Sequence, residues 1–283
     1  MLESMRGEAR VLAGGQSLVP MLNLRLAVPA VVVDINWLHG LERLDCEESF
    51  ISVGALVRQR RLERSAQARQ CGALCDCLPL IGHVGTRSRG TVGGSLAHAD
   101  PAGELGLVLV GVGGEVLACD ARGERRTIDS GSFFEGFLSS ALGPAEVLTE
   151  ARFHRDGPGR ASAFIEAAPR HGDFASASVC ACVELDSSGA TSSIRLALGA
   201  VTDRPFLAGL PDDALAGWRG DKESADELAS LVASSIEPLG TLHAPPQYQR
   251  HLIGVLGAQA LLKAFQRAKQ SLGNGDHGEE AHP

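Results

Sequence analysis

Two pairs of adjacent glycines, each beside hydroxyl residues, are the features of this chain best suited to binding a ligand. They lie in the loops Ala13-Gly14-Gly15-Gln16-Ser17 and Thr91-Val92-Gly93-Gly94-Ser95. Glycine reaches left-handed dihedrals and lets backbone N–H groups approach a ligand without interference from a Cβ atom. Consecutive amides that face one side form an anion-binding concavity, and hydroxyl groups add further donors. Two such loops can hold the two ends of one diphosphate, which indicates a dinucleotide cofactor.

The elements that must position these loops follow the same order at both sites, with an apolar strand before the glycines and an apolar helix after them. A strand over residues 9–13 precedes the first loop, and a helix over residues 18–26 follows it. A helix that begins just past such a loop adds the positive end of its dipole to the amides. A single Gly-Gly pair is more often an ordinary tight turn, but the repeated order favours a binding role.

Two common phosphate-binding motifs do not fit. Neither loop ends in the Gly-Lys-Ser/Thr sequence of a P-loop. The run at residues 111–114 lacks the third glycine of a Rossmann fingerprint and precedes a strand.

Composition predicts a cytoplasmic globular protein. The 283 residues are 44% hydrophobic and 21% charged, and the net charge of −8 argues against binding to nucleic acid. We expect neither a signal peptide nor a transmembrane segment. The odd count of seven cysteines fits reduced thiols, and the Cys71, Cys75 and Cys77 cluster favours packed helix cysteines over a metal site.

The remaining pattern predicts an α/β domain followed by a smaller α+β domain. Residues 155–159 combine charge with Gly and Pro and indicate a linker. The segments assigned before the linker are strands at 31–35, 50–56 and 115–120 and helices at 59–78 and 102–110; those after it are a hairpin of strands 177–185 and 194–201 and helices at 225–235 and 247–270.

Three segments resemble the medium, FAD-binding subunits of molybdenum hydroxylases, the family that includes the corresponding subunits of carbon monoxide dehydrogenase and quinoline oxidoreductase. The resemblance lies in residues 13–26, residues 87–101 and residues 170–175. It implies an α+β fold: a two-subdomain FAD-binding domain of the vanillyl-alcohol oxidase (PCMH) type, then a small α+β C-terminal domain. The implied boundaries are 1–155 and 160–270, with a disordered tail at 271–283. The strand and helix that open the family's fold are expected to be truncated here.

The resemblance also implies which residues contact FAD. The first loop would line the diphosphate through amides and a hydroxyl, and the second would approach from the other side; the full set is Ala13, Gly14, Gly15, Gln16, Ser17, Leu18, Thr91, Val92, Gly93, Gly94, Ser95 and Glu104. Glu104 suits flavin hydroxyl groups, or is an exposed acid in the first turn of a helix. Arg87 and Arg89 contact phosphate, are exposed to solvent, or lie at a partner interface. A valine at Gly14 or Gly93 is expected to block the approach of the amides to the cofactor.

The implied function is electron transfer within a molybdenum hydroxylase. FAD on this chain would receive electrons from [2Fe–2S] clusters on a small subunit and pass them to an external acceptor, while a large subunit holds molybdopterin. No catalytic side chain and no metal site are expected on this chain. Two alternatives stay open: a stand-alone flavin reductase of similar fold, and an assembly scaffold without FAD.

Overall fold

The computed structural model describes residues 2–5, 7–210 and 218–275, with side chains up to residue 273. Its helices, in chain order, are α1 (Leu18–Asn23), α2 (Gln59–Glu63), α3 (Gly72–Cys77), α4 (Val84–Arg89), α5 (Val92–His98), α6 (Glu104–Val112), α7 (Ser130–Phe133), α8 (Lys222–Ser234) and α9 (Pro246–Gly275). Its strands are β1 (Ala9–Leu12), β2 (Val31–Asp34), β3 (Leu44–Cys46), β4 (Phe50–Gly54), β5 (Glu115–Cys119), β6 (Arg125–Asp129), β7 (Phe134–Gly136), β8 (Ser139–Ser140), β9 (Val147–His154), β10 (Arg160–Ala167), β11 (Ala177–Leu185), β12 (Thr191–Gly199) and β13 (Phe206–Leu207).

The N-terminal strands β1 and β2 form a two-stranded parallel sheet, in which Ala9 pairs with Val31 and Leu12 pairs with Asp34. Parallel neighbours need a crossover connection, and α1 lies within it. The first glycine loop joins β1 to α1 and therefore follows the carboxyl end of a strand.

A five-stranded sheet in the order β3-β4-β9-β5-β6 follows, and all its pairings are antiparallel. The helices α2 to α6 lie between β4 and β5 in the chain. The sequence of α6 is apolar all round, and every residue from Leu105 to Val112 is buried. A helix without a polar face belongs in the interior, and α6 crosses the core that supports the second glycine loop.

The second half of the chain is built on an antiparallel sheet in the order β10-β11-β12-β13. Alternate residues of its strands enter two different cores, as the pleat of a strand requires. Phe164, Cys180 and Ala197 join the core beneath α3 and α6. Ala163, Val179 and Leu198 join the core formed with α8 and α9.

The mixed α+β fold is confirmed, whereas the α/β assignment of the first half from alternating segments is wrong. Helices do intervene between strands there, but they return the chain to antiparallel neighbours, and among the described strands only β1 and β2 pair in parallel. Local periodicity cannot distinguish these two arrangements, because strand direction is set by which strands pair.

The single helix predicted over residues 59–78 is also wrong. The helix α2 stops at Glu63, a 3-10 turn covers Ala68–Gln70, and α3 begins at Gly72. The Ser65 hydroxyl donates to the Leu62 carbonyl at 2.7 Å and accepts the Ala68 amide at 3.0 Å. Serine side chains compete with helical hydrogen bonds in this way, so the amphipathic pattern continues across a real break.

Other segments agree with the prediction or shift by a few residues. The hairpin β11–β12 lies where it was expected, and residues 155–159 connect β9 to β10. This connection is held in place, since Asp156 accepts the Gly72 amide at 2.7 Å and the Ser162 hydroxyl at 2.8 Å. The helix α9 continues to Gly275, past the predicted start of the disordered tail at residue 271; residues 276–283 lie outside the described part of the chain.

Within the described residues, no helix combines the length and the apolar character needed to cross a bilayer. All seven cysteines are free thiols, and no group of three or more potential ligands among the described residues could hold a metal ion.

Candidate functional site

The first glycine loop presents a series of unused backbone donors. The N–H groups of residues 13–17 find no hydrogen-bond acceptor among the residues that the structure describes. Gly15 has a φ of +73°, a backbone conformation that favours glycine. The Ser17 hydroxyl does not cap α1, so it too is available to a ligand. This loop has the donor arrangement predicted for an anion-binding site.

The second loop differs from the first because the amides of residues 92–95 are already engaged. Val92 donates to the Val57 carbonyl at 3.0 Å, and Gly93 donates to the Ala55 carbonyl at 3.0 Å. The Gly94 amide donates to the Thr91 hydroxyl at 3.1 Å, which caps α5. This loop therefore contributes shape and side chains to the site rather than a second series of free amides.

The glycines serve close packing between protein segments. A Cβ atom on Gly14 would lie 2.8 Å from Gly90 Cα and would also collide with the Arg89 carbonyl oxygen, and one on Gly93 would lie 2.5 Å from Ala55 Cβ. The expectation that these two glycines mainly leave room for a ligand is corrected: the missing Cβ atoms face protein. The missing side chain of Gly14 lets the first loop contact Arg89 and Gly90, directly before the second loop, and that of Gly93 lets the second loop contact Ala55.

A cleft of about 710 Å³ opens between the loops, a volume within the range of about 300–1,000 Å³ typical of small-molecule sites. Eleven of the twelve predicted contact residues line it: Ala13, Gly14, Gly15, Gln16, Ser17, Leu18, Thr91, Gly93, Gly94, Ser95 and Glu104. Val92 does not. Its side chain is fully buried in the core behind the loop, and its amide is bonded to Val57.

Several other residues that line the cleft are not among the contact residues predicted from the sequence. Gln59 lies in the wall, and its Oε1 atom is buried with no hydrogen-bond partner in the described structure. Phe174 lies at the cleft with 72% of its surface exposed, which is unusual for an unpartnered aromatic ring. Gln59 lies within the predicted helix 59–78, where nothing marked it as a site residue. Phe174 lies in the segment 170–175 that resembles the family, and that segment could have identified Phe174 as a site residue.

Arg87 is neither exposed nor part of the cleft lining. It is 4% exposed, its Nε atom pairs with Glu63 at 2.9 Å, and its Nη1 atom donates to the Ile81 carbonyl at 2.9 Å. Arg87 thus stabilises the segment leading into the second loop. The Arg89 side chain is exposed to solvent.

Comparison with known proteins identifies the family to which this chain belongs. Residues 1–153 match the family described as the FAD binding domain in molybdopterin dehydrogenase, and residues 162–264 match the CO dehydrogenase flavoprotein C-terminal domain. The chain belongs to the FAD-binding subunits of molybdopterin dehydrogenases.

Relatives in this family match the chain along nearly its whole length. The 6-hydroxypseudooxynicotine dehydrogenase complex subunit alpha of Paenarthrobacter nicotinovorans is 33% identical, covering 95% of this chain and 91% of the relative. The carbon monoxide dehydrogenase medium chain of Hydrogenophaga pseudoflava is 30% identical over 94% of this chain and 93% of its own length. In the solved structure of quinoline 2-oxidoreductase from Pseudomonas putida 86, a chain 30% identical to this one superposes with a TM-score of 0.86 over 96% of this chain and 94% of that one.

The cofactor of this FAD-binding subunit is FAD, and the cleft fits it. The unused amides of residues 13–17 suit a diphosphate, while the unpartnered Gln59 Oε1 can accept a hydrogen bond from a hydroxyl or ring N–H group. Phe174 offers an exposed face to a planar ring.

Glu104 is an acidic residue of the cleft whose pKa is raised above its ordinary value. It is the first residue of α6 and lines the cleft. Burial, together with the nearby carboxylates of Glu166 and Asp100, raises its pKa to about 7. Burial likewise raises the pKa of Glu166 to about 7, and its Oε2 atom has no hydrogen-bond partner in the part of the chain described. Glu104 is half-buried and not exposed, so the alternative expectation of an exposed acid in the first turn of a helix is corrected in its exposure.

Proposed function

We propose that this chain is the electron-transfer subunit of a molybdenum hydroxylase, passing electrons from [2Fe–2S] clusters on a small subunit through FAD to an external acceptor. A large subunit would bind molybdopterin and the organic substrate. The proposal rests on one observation. Both glycine loops line the same cleft, and eleven of the twelve predicted contact residues belong to that lining. The likeness to subunits named medium chain, from complexes with further chains, supports separate partners.

We further propose how the chain holds its cofactor. The amides of residues 13–17 bind the diphosphate, and Ser17 adds a hydroxyl donor. Glu104 and Gln59 accept hydrogen bonds from hydroxyl or N–H groups, and Phe174 covers a ring face. When bound, FAD supplies the redox chemistry, because it exchanges electrons with both one-electron and two-electron partners. The protein binds, orients and shields it. The domain boundaries at 1–155 and 160–270 are part of this proposal.

We also propose a cytoplasmic location, on the basis of the cysteines. All seven cysteines are unpaired, and those most deeply buried, such as Cys71 and Cys180, have strongly raised pKa values because burial disfavours the thiolate. Unpaired thiols are typical of a reducing compartment.

Purification of the full chain from its native cells tests the proposal. We expect it to copurify with a large and a small subunit, with bound FAD, molybdenum and iron, and we expect flavin absorbance to bleach when the organic substrate of the complex is added. A chain isolated alone that oxidises NADH with bound flavin would instead support the flavin reductase. A complex from which denaturation releases no flavin would support the scaffold and contradict the proposal.

A further inference from the structure

The backbone of Arg58 is fixed directly opposite the second glycine loop. Residues on either side of it pair with that loop: the Gln59 amide donates to the Gly90 carbonyl at 2.9 Å, and Val57 accepts the Val92 amide. These bonds frame an antiparallel bridge in which Arg58 stands across from Thr91. The position of the Arg58 side chain is therefore tied to the second loop.

The Arg58 guanidinium joins both loops from behind the cleft. Its Nη1 atom donates to the Arg89 carbonyl at 2.5 Å, directly before the second loop. Its Nη2 atom donates to Asn36 Oδ1 at 2.8 Å, and Asn36 Nδ2 in turn donates to the Ala13 carbonyl at 2.8 Å. Ala13 begins the first loop, so a chain of three hydrogen bonds connects the two loops.

Asn36 is itself held rigidly. The Oδ1 atom of Asp34, the last residue of β2, accepts the Asn36 amide at 2.9 Å and Asn36 Nδ2 at 2.6 Å. Neither Arg58 nor Asn36 lines the cleft. Any effect of these two side chains on a bound cofactor must therefore act through the loops.

We propose that Arg58, acting with Asn36, is a positioning residue that sets the separation of the two glycine loops before FAD binds. The inference rests on the proposed assignment of these loops to FAD. Loops already at the required separation lose less conformational freedom on binding, which is the physical source of tighter binding by a preorganised site. Arginine suits this position because its planar fork donates in two directions at once.

The test compares Arg58→Met with Arg64→Met in the full chain after removal of FAD. Arg64 is exposed at the end of α2 and makes no side-chain hydrogen bond or ion pair within the described structure. We expect the FAD dissociation constant of Arg58→Met to rise about tenfold to a hundredfold, the scale of losing hydrogen bonds to a charged group. Arg64→Met should bind FAD like the wild type. Arg58→Lys should recover part of the affinity, because an ammonium can reach only one of the two acceptors.

Hydrogen exchange of the FAD-free chain distinguishes positioning of the loops from a general effect on stability. A side chain that only stabilised the fold would not change exchange at the loops alone. We expect faster exchange in Arg58→Met confined to peptides that cover the two loops with their flanking residues, 9–17 and 89–95, and the Asn36 segment, 31–36, with the α8 and α9 peptides unchanged. In a double-mutant cycle, Asn36→Ala combined with Arg58→Met should bind FAD no more weakly than the weaker single variant, since both break one chain of bonds.

The outcomes separate the two claims. Unchanged exchange at both loops overturns the inference, whatever the affinity. Faster exchange with unchanged FAD affinity shows that Arg58 holds the loops without contributing to FAD binding, which overturns the inference but not the proposed site. Faster exchange with weaker FAD binding supports both.

Discussion

Gly14 and Gly90 meet backbone to backbone, since a Cβ atom added to Gly14 would lie 2.8 Å from the Cα atom of Gly90. The first loop and the residue directly before the second loop are therefore in contact through backbone atoms, with no room for a side chain between them. This contact, rather than a ligand, explains why glycine is needed at position 14.

The first prediction concerns that contact. Gly14→Ala should destabilise the FAD-free chain by about 1–3 kcal/mol, the usual cost of overpacking a tight contact. Gly85→Ala is the matched control, because nothing lies within 4 Å of the added Cβ atom in α4, and alanine there should stabilise the chain by about 0.5–1 kcal/mol. Urea unfolding measures both. Equal midpoints for the two variants would show that the loop contact does not require glycine.

Phe174 gives a prediction about ligand binding without a change in stability. The ring is 72% exposed, so Phe174→Ala should leave the unfolding of the FAD-free chain nearly unchanged. Loss of a stacked ring should weaken FAD binding by about 0.5–1.5 kcal/mol, or roughly twofold to tenfold. Phe137→Ala is the control, because Phe137 is 63% exposed and lies outside the cleft lining. Fluorescence titration with FAD decides the matter, and equal affinities of the two variants would exclude stacking by Phe174.

The buried Arg87 side chain should contribute strongly to stability. Arg87→Met leaves Glu63 with Arg60 as its remaining partner, but it leaves the Ile81 and Gly82 carbonyls without their side-chain donor, so the variant should cost about 2–3 kcal/mol. The exposed pair of Arg126 and Glu146, in which the arginine side chain is 50% exposed, is the comparison, and Arg126→Met should cost about 1 kcal/mol or less. Chemical denaturation of both variants at low and high salt checks the difference. Comparable losses would mean that the Arg87 site is not effectively buried.

Glu166 predicts a dependence of stability on pH. Burial raises its pKa from the ordinary 4.5 to about 7 in the folded chain. The folded state therefore favours the protonated carboxyl, and the stability this group contributes is complete below about pH 4.5 and lost as the pH rises through about 7.

Glu166→Gln removes that loss. The variant should match the wild type near pH 4.5 and be more stable than it at pH 8, by an amount on the order of 1–3 kcal/mol. Glu223→Gln, at an exposed position in the first turn of α8, should follow the wild type at every pH. Unfolding of the FAD-free chain between pH 4.5 and pH 8 measures the effect. Parallel curves for Glu166→Gln and the wild type would contradict the assignment.

Local sequence determined much of the molecule. The β-branched run at β2, the Asp-Ser-Ser-Gly turn between β11 and β12, and the apolar length of α6 each follow from short-range rules of strand, turn and helix formation. The glycine loops could also be predicted, because Gly-Gly beside hydroxyl residues typically forms either a tight turn or an anion-binding site. The family likeness then added the cofactor.

Only the tertiary structure decided how the two loops differ and what holds them together. Whether an amide is free depends on a carbonyl supplied by a distant segment, as the carbonyl of Ala55 satisfies the amide of Gly93. The same holds for the antiparallel order of the central sheet and for Arg58, whose acceptors lie 22 and 31 residues away in the chain. Sequence patterns report on neighbours along the chain, whereas these properties depend on groups that folding brings together.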